Sequence, residues 1–294
     1  MIKNPRVLVL GSAGMVGHQL CNYIINNSNF ILFDVSKKSK YRKESNLIDV
    51  KNELQIRDYI LNIKPNYIIN CIGILINDSN KYVEEAIFIN SYLPHMLSKI
   101  SGEIDAKLIH ISTDCVFSGK KGEYTENDQR DGQGTYALTK ILGEINDNKN
   151  LTLRTSVIGP EIKSLGEGLF HWFMSQTDHI FGYTNAIWSG VTTIELAKAI
   201  KWSVDNNLEG LYHVTNNSSI SKYDLLNLFK KYTNKEIEIK PMGGELIDKS
   251  FIDTRSLLDY NIPSYDRMIS DMIKMISNNR SLYSQYEVIN FDKK

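Results

Sequence analysis

A doubly wound α/β fold is predicted by three observations: short apolar runs recur along the chain, segments of helical spacing separate them, and a glycine triplet follows the first run. The runs are RVLVL (6–10), FILFD (30–34), NYIINCIG (66–73), KLIHIST (107–113), LTLRTS (151–156) and LYHVT (211–215). They are almost continuously hydrophobic, as parallel strands covered on both faces must be. Helical spacing fills 15–26, 50–63, 82–100, 136–146 and 193–204. In the third of these, Val83, Ala86, Ile87, Asn90, Leu93 and Leu97 recur every three or four positions and share one side.

Beyond 157 the rhythm changes. VIGPEIKSLGEGLFHWFMSQ alternates neither as strand nor as helix, and helical segments at 221–232 and 265–277 follow the last strand. The expected division is a sheet domain of residues 1–156 plus 190–216, a smaller and mainly helical substrate domain of 157–189 plus 217–285, and a polar tail at 286–294.

Composition narrows the function. With 34 Lys and Arg against 34 Asp and Glu, the 294-residue chain has no positive field to draw in a nucleic acid. Cys21, Cys71 and Cys115 form no CxxC pair and have no histidine at ligand spacing, so neither a disulfide framework nor a metal site is expected. The N-terminal apolar run is too short for a signal peptide, and no stretch approaches the roughly 18 apolar residues of a membrane span. A cytoplasmic protein without a membrane partner is expected.

Gly11, Gly14 and Gly17 stand in G-x-x-G-x-x-G spacing between the first strand and a helix opened by Met15 and Val16. Such glycines permit a tight turn, the approach of a pyrophosphate to the helix N-terminus, and close helix–strand packing. Asp34, read as closing the next strand, is placed to bind the adenosine ribose. A carboxylate there leans toward NAD over NADP, although Lys37 and Lys38 follow closely.

A second constellation is HISTDCVFSG (110–119), followed by TYALTK (135–140). Tyr136 and Lys140 are i and i+4, one above the other on a helix. A nearby ammonium lowers a phenol's pKa from about 10 and makes it a usable proton donor to a carbonyl oxygen. Thr113, ending its strand where open α/β sheets bind ligands, can hydrogen-bond the same oxygen.

These motifs, with Gly143-Glu144, LRTSVIGP (153–160), NLIDVKN (46–52), PNYIINCIGI (65–74), AIFINSYLP (86–94), GLYHVTN (210–216) and DTRSLLDYNIP (253–263), resemble the extended short-chain dehydrogenase/reductases. The similarity is greatest to the branch of dTDP-4-dehydrorhamnose reductases and related nucleotide-sugar reductases. It implies a Rossmann-type sheet, NADH or NADPH as cofactor, a nucleotide sugar as substrate, a homodimer as one possible assembly, and a place in deoxysugar and surface polysaccharide synthesis. By this resemblance Tyr136 donates the proton, Lys140 binds the nicotinamide ribose and tunes Tyr136, and Thr113 polarises the keto group. Asp49, Cys71, Ile72, Gly73, Asn90, Arg154 and Ser156 fall where such enzymes line the dinucleotide site. Tyr124 and Trp188 are candidates for the sugar and base. Lys222, Arg255 and Arg267 are candidates for the substrate diphosphate.

Cys115 departs from the branch, which has tyrosine at this position. In the related GDP-fucose synthases a cysteine so placed works with a histidine in epimerisation. An epimerase-reductase using Cys115 and His171 is therefore an alternative, against the simpler reading of Cys115 as packing. A non-catalytic dinucleotide-binding regulatory subunit is a second alternative.

Overall fold

The computed structural model describes residues 3–255 and 260–286. Strand β1 (Arg6–Leu10) lies inside a parallel sheet, paired with β2 (Ile31–Ser36) on one side and, on the other, with β4 (Tyr67–Asn70). β3 (Asn46–Leu47) extends the first side; β5 (Lys107–Thr113) and β6 (Leu151–Thr155) extend the second. Four short strands, β7 (Val157–Ile158), β8 (His179–Tyr183), β9 (Ala186–Trp188) and β10 (Val191–Thr192), precede β11 (Gly210–His213), which returns beside β6. The order β11-β6-β5-β4-β1-β2-β3 is the doubly wound arrangement that was expected. Its direction reverses between β1 and β4, and a crevice opens at the carboxyl ends of the strands there.

Helices cover both faces. On one lie α1 (Met15–Asn27) and α8 (Thr193–Asp205), whose core includes Leu20, Ile24, Ile69, Leu153, Leu196 and Ile200. On the other lie α2 (Glu53–Ile63) and α5 (Leu93–Glu103), closing over Leu8, Leu10, Ile68 and Leu108. Asn52 and Thr192 cap α2 and α8 by accepting from Gln55 N and Glu195 N, which satisfies otherwise orphaned donors. Between β4 and α5 run α3 (Ile76–Lys81), α4 (Val83–Ala86) and a π-helical turn at Ile87–Tyr92.

The single helix expected at 82–100 is thus interrupted. Pro94 has no N–H to give to the carbonyl of Asn90 and its ring crowds that carbonyl, so the ladder widens just before it. A second difference lies in β2, which runs on to Ser36 because the Val35 carbonyl receives both Gly11 N and Ser12 N. Asp34 is consequently mid-strand, opposite Val9.

α6 (Gly134–Leu142) precedes β6, and α7 (Leu169–Ser175), α9 (Lys222–Thr233) and α10 (Tyr265–Asn278) follow it. This region also contains small sheets, a departure from the mainly helical expectation: β13 (Glu238–Met242) pairs with β8, while β12 (Ile220–Ser221) and β14 (Ile247–Asp248) flank β9. Residues 256–259 and 287–294, including all but the first residue of the expected tail, lie outside the described residues. Among the described residues no helix is long and apolar enough to cross a membrane.

Candidate active site

The glycine loop begins where β1 ends. Gly11 has φ +87, a left-handed value that most side chains disfavour, and its N–H donates to Val35 O at 2.8 Å. A Cβ on Gly17 would stand 2.1 Å from the Gly11 carbonyl oxygen, so only glycine lets α1 start this close to the strand. Gly14 caps α1 and leaves the helix's first N–H groups facing the crevice.

Two clefts meet at this loop. One, of about 460 Å³, is lined by Gly11, Ser36, Lys37, Lys38, Ser39 and Asp49. The other, of about 680 Å³, runs past Met15, Val16, Thr113, Cys115, Tyr136, Lys140, Ser156, Trp188 and Lys222. They share Ala13, Gly14, Cys71, Ile72, Gly73 and Lys163, which form a waist between them.

In the larger cleft β5 and α6 bring Thr113, Tyr136 and Lys140 together. The Thr113 hydroxyl donates to Asp114 Oδ1 at 3.0 Å and accepts from Cys115 N at 3.2 Å. Burial raises the Tyr136 phenol above its ordinary range, with Cys115 adding to the rise and a hydrogen bond with Thr113 opposing it. Lys140 is pulled down to about 8 by burial. Its Nζ donates to Ile111 O at 2.8 Å and lies 3.3 Å from His110 Nε2. The expectation that Lys140 lowers the Tyr136 pKa is corrected: its ammonium is engaged by Ile111 O and His110, and desolvation dominates at the phenol.

Several other sequence candidates are placed elsewhere. Asp34 is fully buried and ion-paired to Arg42 at 2.7 Å, because the extra length of β2 turns it into the core instead of the crevice. Arg154 is consumed by Glu144, Nε to Oε1 at 2.6 Å and Nη2 to Oε2 at 2.8 Å, and lines neither cleft. Burial alone would raise Glu144, but Arg154, Ser112 and Arg130 hold it below its usual range. Asn90 spends its amide on both backbone groups of Ile74, at 2.9 and 3.0 Å, and so shapes the loop after β4 without reaching the clefts. Tyr124 is buried against Phe117 with ring centroids 4.2 Å apart, and its hydroxyl accepts from Gly119 N and Lys121 N. Arg255 donates to Leu211 O at 2.6 Å beside the edge strand β11, and Arg267 pairs with Asp271 on α10.

The Cys115–His171 pair is not assembled. Cys115 lines the larger cleft, whereas His171 sits 2.7 Å from the Tyr286 hydroxyl, its Nδ1 turned to the C-terminal segment, and is absent from the lining. Burial pushes the Cys115 thiol up to about 11, away from the range of a working base. Ser156 and Trp188 do face the cleft and are joined by Trp188 Nε1–H to Ser156 Oγ at 2.8 Å. Asp49 lines the smaller cleft with its carboxylate 3.2 Å from Lys37.

Sequence reasoning missed Ser36, Ser39, Lys163 and the pair His110 and Asn70. His110 Nδ1 lies 3.2 Å from Asn70 Nδ2, and Asn70 Oδ1 accepts from Ile72 N at 3.1 Å, which ties Lys140 to the loop carrying Ile72. The interior histidine in HIST was the available signal. Lys163 carries no local signature, since only the folding-back of 159–168 brings it to the waist.

A family model described as the RmlD substrate binding domain matches residues 5–247. The chain is 24% identical over 247 residues to the spore coat polysaccharide biosynthesis protein SpsK of Bacillus subtilis, covering 82% of this chain and 83% of that one. It is 25% identical over 239 residues to methionine adenosyltransferase 2 subunit beta of Xenopus laevis, covering 76% of this chain and 71% of that one. Among solved structures, a dTDP-4-dehydrorhamnose reductase from Bacillus anthracis in complex with NADP superposes with a TM-score of 0.80 at 22% identity, over 92% of this chain and 99% of that one, a likeness of fold.

Proposed function

Because the chain belongs to the RmlD substrate binding domain family, we propose that it is an NAD(P)H-dependent reductase of a nucleotide-linked 4-keto-6-deoxy sugar, serving deoxysugar and polysaccharide synthesis. The observation that carries this reading is the convergence of Thr113, Tyr136 and Lys140 in a cleft continuous with the glycine loop. The loop fits a dinucleotide: a Cβ on Gly11, Gly14 or Gly17 would press on neighbouring protein atoms, so glycine keeps the turn tight, and the waist offers N–H groups at the start of α1. When bound, the nicotinamide supplies hydride.

The protein's part is oxygen chemistry. Thr113, whose hydroxyl rests on Asp114 here, turns it to the keto oxygen as negative charge develops there. Tyr136, held protonated by burial, gives its phenolic proton to that oxygen. Lys140, on the same face of α6 one turn after Tyr136, orients the ribose end. The segment after β7, with Trp188 and Lys222, holds the substrate.

The cofactor preference is revised. With Asp34 in the core, the smaller cleft presents Ser36, Lys37, Lys38 and Ser39, donors suited to a ribose 2′-phosphate, and NADPH becomes the favoured form.

The test is mass spectrometry of products from 4-keto-6-deoxy nucleotide sugars incubated in heavy water with NADPH or NADH. A reduced product without carbon-bound deuterium is expected; deuterium beside the former carbonyl would return Cys115 to the mechanism. The identity to a methionine adenosyltransferase subunit favours a second reading, a non-catalytic dinucleotide-binding subunit. NADPH binding with no sugar reduced across the panel would select it.

A further inference from the structure

The chain leaves α10 in two successive turns, Tyr283 N donating to Arg280 O at 3.2 Å and Tyr286 N to Tyr283 O at 3.0 Å. Both tyrosines are buried, and each serves a different wall of the waist between the two clefts. Burial pushes His18 of α1 down to about 4, so its ring is neutral and carries one proton. Nδ1 gives that proton to Gly14 O at 2.8 Å, which leaves Nε2 to accept from the Tyr283 hydroxyl at 2.9 Å; Gln19 Nε2 donates to the same hydroxyl. Tyr283 is thereby joined, through one imidazole, to the glycine that caps α1.

Tyr286 holds the other wall. Its hydroxyl accepts from Glu161 N at 3.0 Å while Gln285 Nε2 donates to Glu161 O, so both backbone groups of Glu161 are taken by the C-terminal turn. The Glu161 carboxylate accepts from Gly168 N at 2.8 Å and closes the loop 161–168 on itself. Gly168 comes up against Met15, where a Cβ would stand 3.3 Å from the sulfur, so the closed loop faces the start of α1. His171, which makes no pair with Cys115, completes the anchor with Nδ1 2.7 Å from the Tyr286 hydroxyl, and Phe170 packs edge-on to the Tyr286 ring.

What the loop carries is Lys163. Among the described residues shared by the two clefts it alone is charged. A dinucleotide filling both clefts crosses the waist with its phosphates, and a lysine grips them as a point charge. Ordering a loop in order to grip a ligand costs entropy, and that cost falls when the loop is already fixed.

We propose that Tyr283 and Tyr286 form a two-point staple that fixes loop 161–168 against the glycine turn, sets the width of the waist and so presents Lys163 to the bound dinucleotide. This rests on the dinucleotide reading of the two clefts. The tyrosines are positioning residues: their own hydroxyls are spent on the protein, and they act on the cofactor through the loop.

The experiment is calorimetric titration of NADPH, NADH, 2′-AMP and adenosine into wild type, Tyr283→Phe, Tyr286→Phe, Lys163→Met and the double variant Tyr286→Phe with Lys163→Met, with hydrogen exchange of residues 161–168 measured alongside. Phenylalanine keeps each ring in its packing and removes only the hydroxyl. Each single variant should weaken the preferred dinucleotide about five- to tenfold, with a shallower salt dependence in Lys163→Met. 2′-AMP and adenosine, short enough to stay in the smaller cleft, should bind as they do to wild type, which also shows that the variants fold. The double variant should bind no more weakly than Lys163→Met, since Tyr286 acts through the lysine. Exchange in 161–168 should rise in Tyr286→Phe and stay at the wild-type rate in Lys163→Met. A single variant that keeps full dinucleotide affinity, additive losses in the double variant, or fragment binding lost together with the dinucleotide would each overturn the staple. Wild type that binds neither NADPH nor NADH would overturn the dinucleotide reading itself.

Discussion

Arg154 and Lys140 are both buried cations near the carboxyl ends of neighbouring strands, and they have opposite fates. Arg154 gives two hydrogen bonds to Glu144 and a third, at 3.4 Å, to the Glu126 carbonyl, while its guanidinium lies 5.3 Å from the Phe117 ring centroid. Its charge is spent inside the protein, tying the segment just after α6 to β6. Lys140 has a backbone carbonyl and a neutralised histidine for partners, faces the cleft, and is held near 8 by desolvation. A buried charge with a carboxylate partner is framework; one that lines a cleft without such a partner is available for chemistry.

The contrast can be broken first at the phenol that Lys140 supports. Tyr136→Phe should lower kcat by about 10²–10⁴ while leaving NADPH affinity and thermal stability near wild type. A comparable loss of stability would make Tyr136 structural. Arg154→Met should do the reverse: it leaves buried Glu144 with only Arg130 and Ser112 for partners, and should cost about 3 kcal/mol in urea unfolding. If folding is unperturbed but cofactor affinity collapses, Arg154 belongs to the site after all.

A smaller effect is expected at the other end of the crevice. Lys37→Ala with Lys38→Ala should raise the KM for NADPH about tenfold and leave that for NADH unchanged, since the lost contacts concern only a 2′-phosphate. Equal losses for both cofactors would remove the basis for preferring NADPH.

The mildest test is pH. Lys140 is cationic below its pKa of about 8, so kcat/KM for reduction should fall as pH rises through that value. Stability should move the other way. The folded pKa lies below the 10.5 of an unperturbed lysine, the unfolded chain binds more protons between the two values, and this contribution therefore rises with pH across that window. Subtracting Lys140→Met unfolding data from wild type isolates it; a difference independent of pH would show that Lys140 titrates normally.

Much of the fold was legible because it depends on short-range pattern. The continuous apolar strands, the glycine spacing at 11, 14 and 17 and the i, i+4 relation of Tyr136 and Lys140 are all written within a few residues. Even the π-helical turn had its cause in plain view, in Pro94. The short strands β8 and β13 were not legible, because each is defined by a partner about sixty residues away.

The site divides along the same line. By itself the sequence determined where a tight glycine turn opens α1, which hydroxyls end β5, and that a lysine follows the tyrosine one turn later. Only the tertiary structure decided which charged and polar side chains meet a partner before they can meet a ligand. Arg42 claims Asp34, Glu144 claims Arg154, the Ile74 backbone claims Asn90 and Tyr286 claims His171. Charge and residue type are local properties, but neutralisation is a property of the neighbour. Those neighbours come from eight to more than a hundred positions away, where no spacing in the chain announces them.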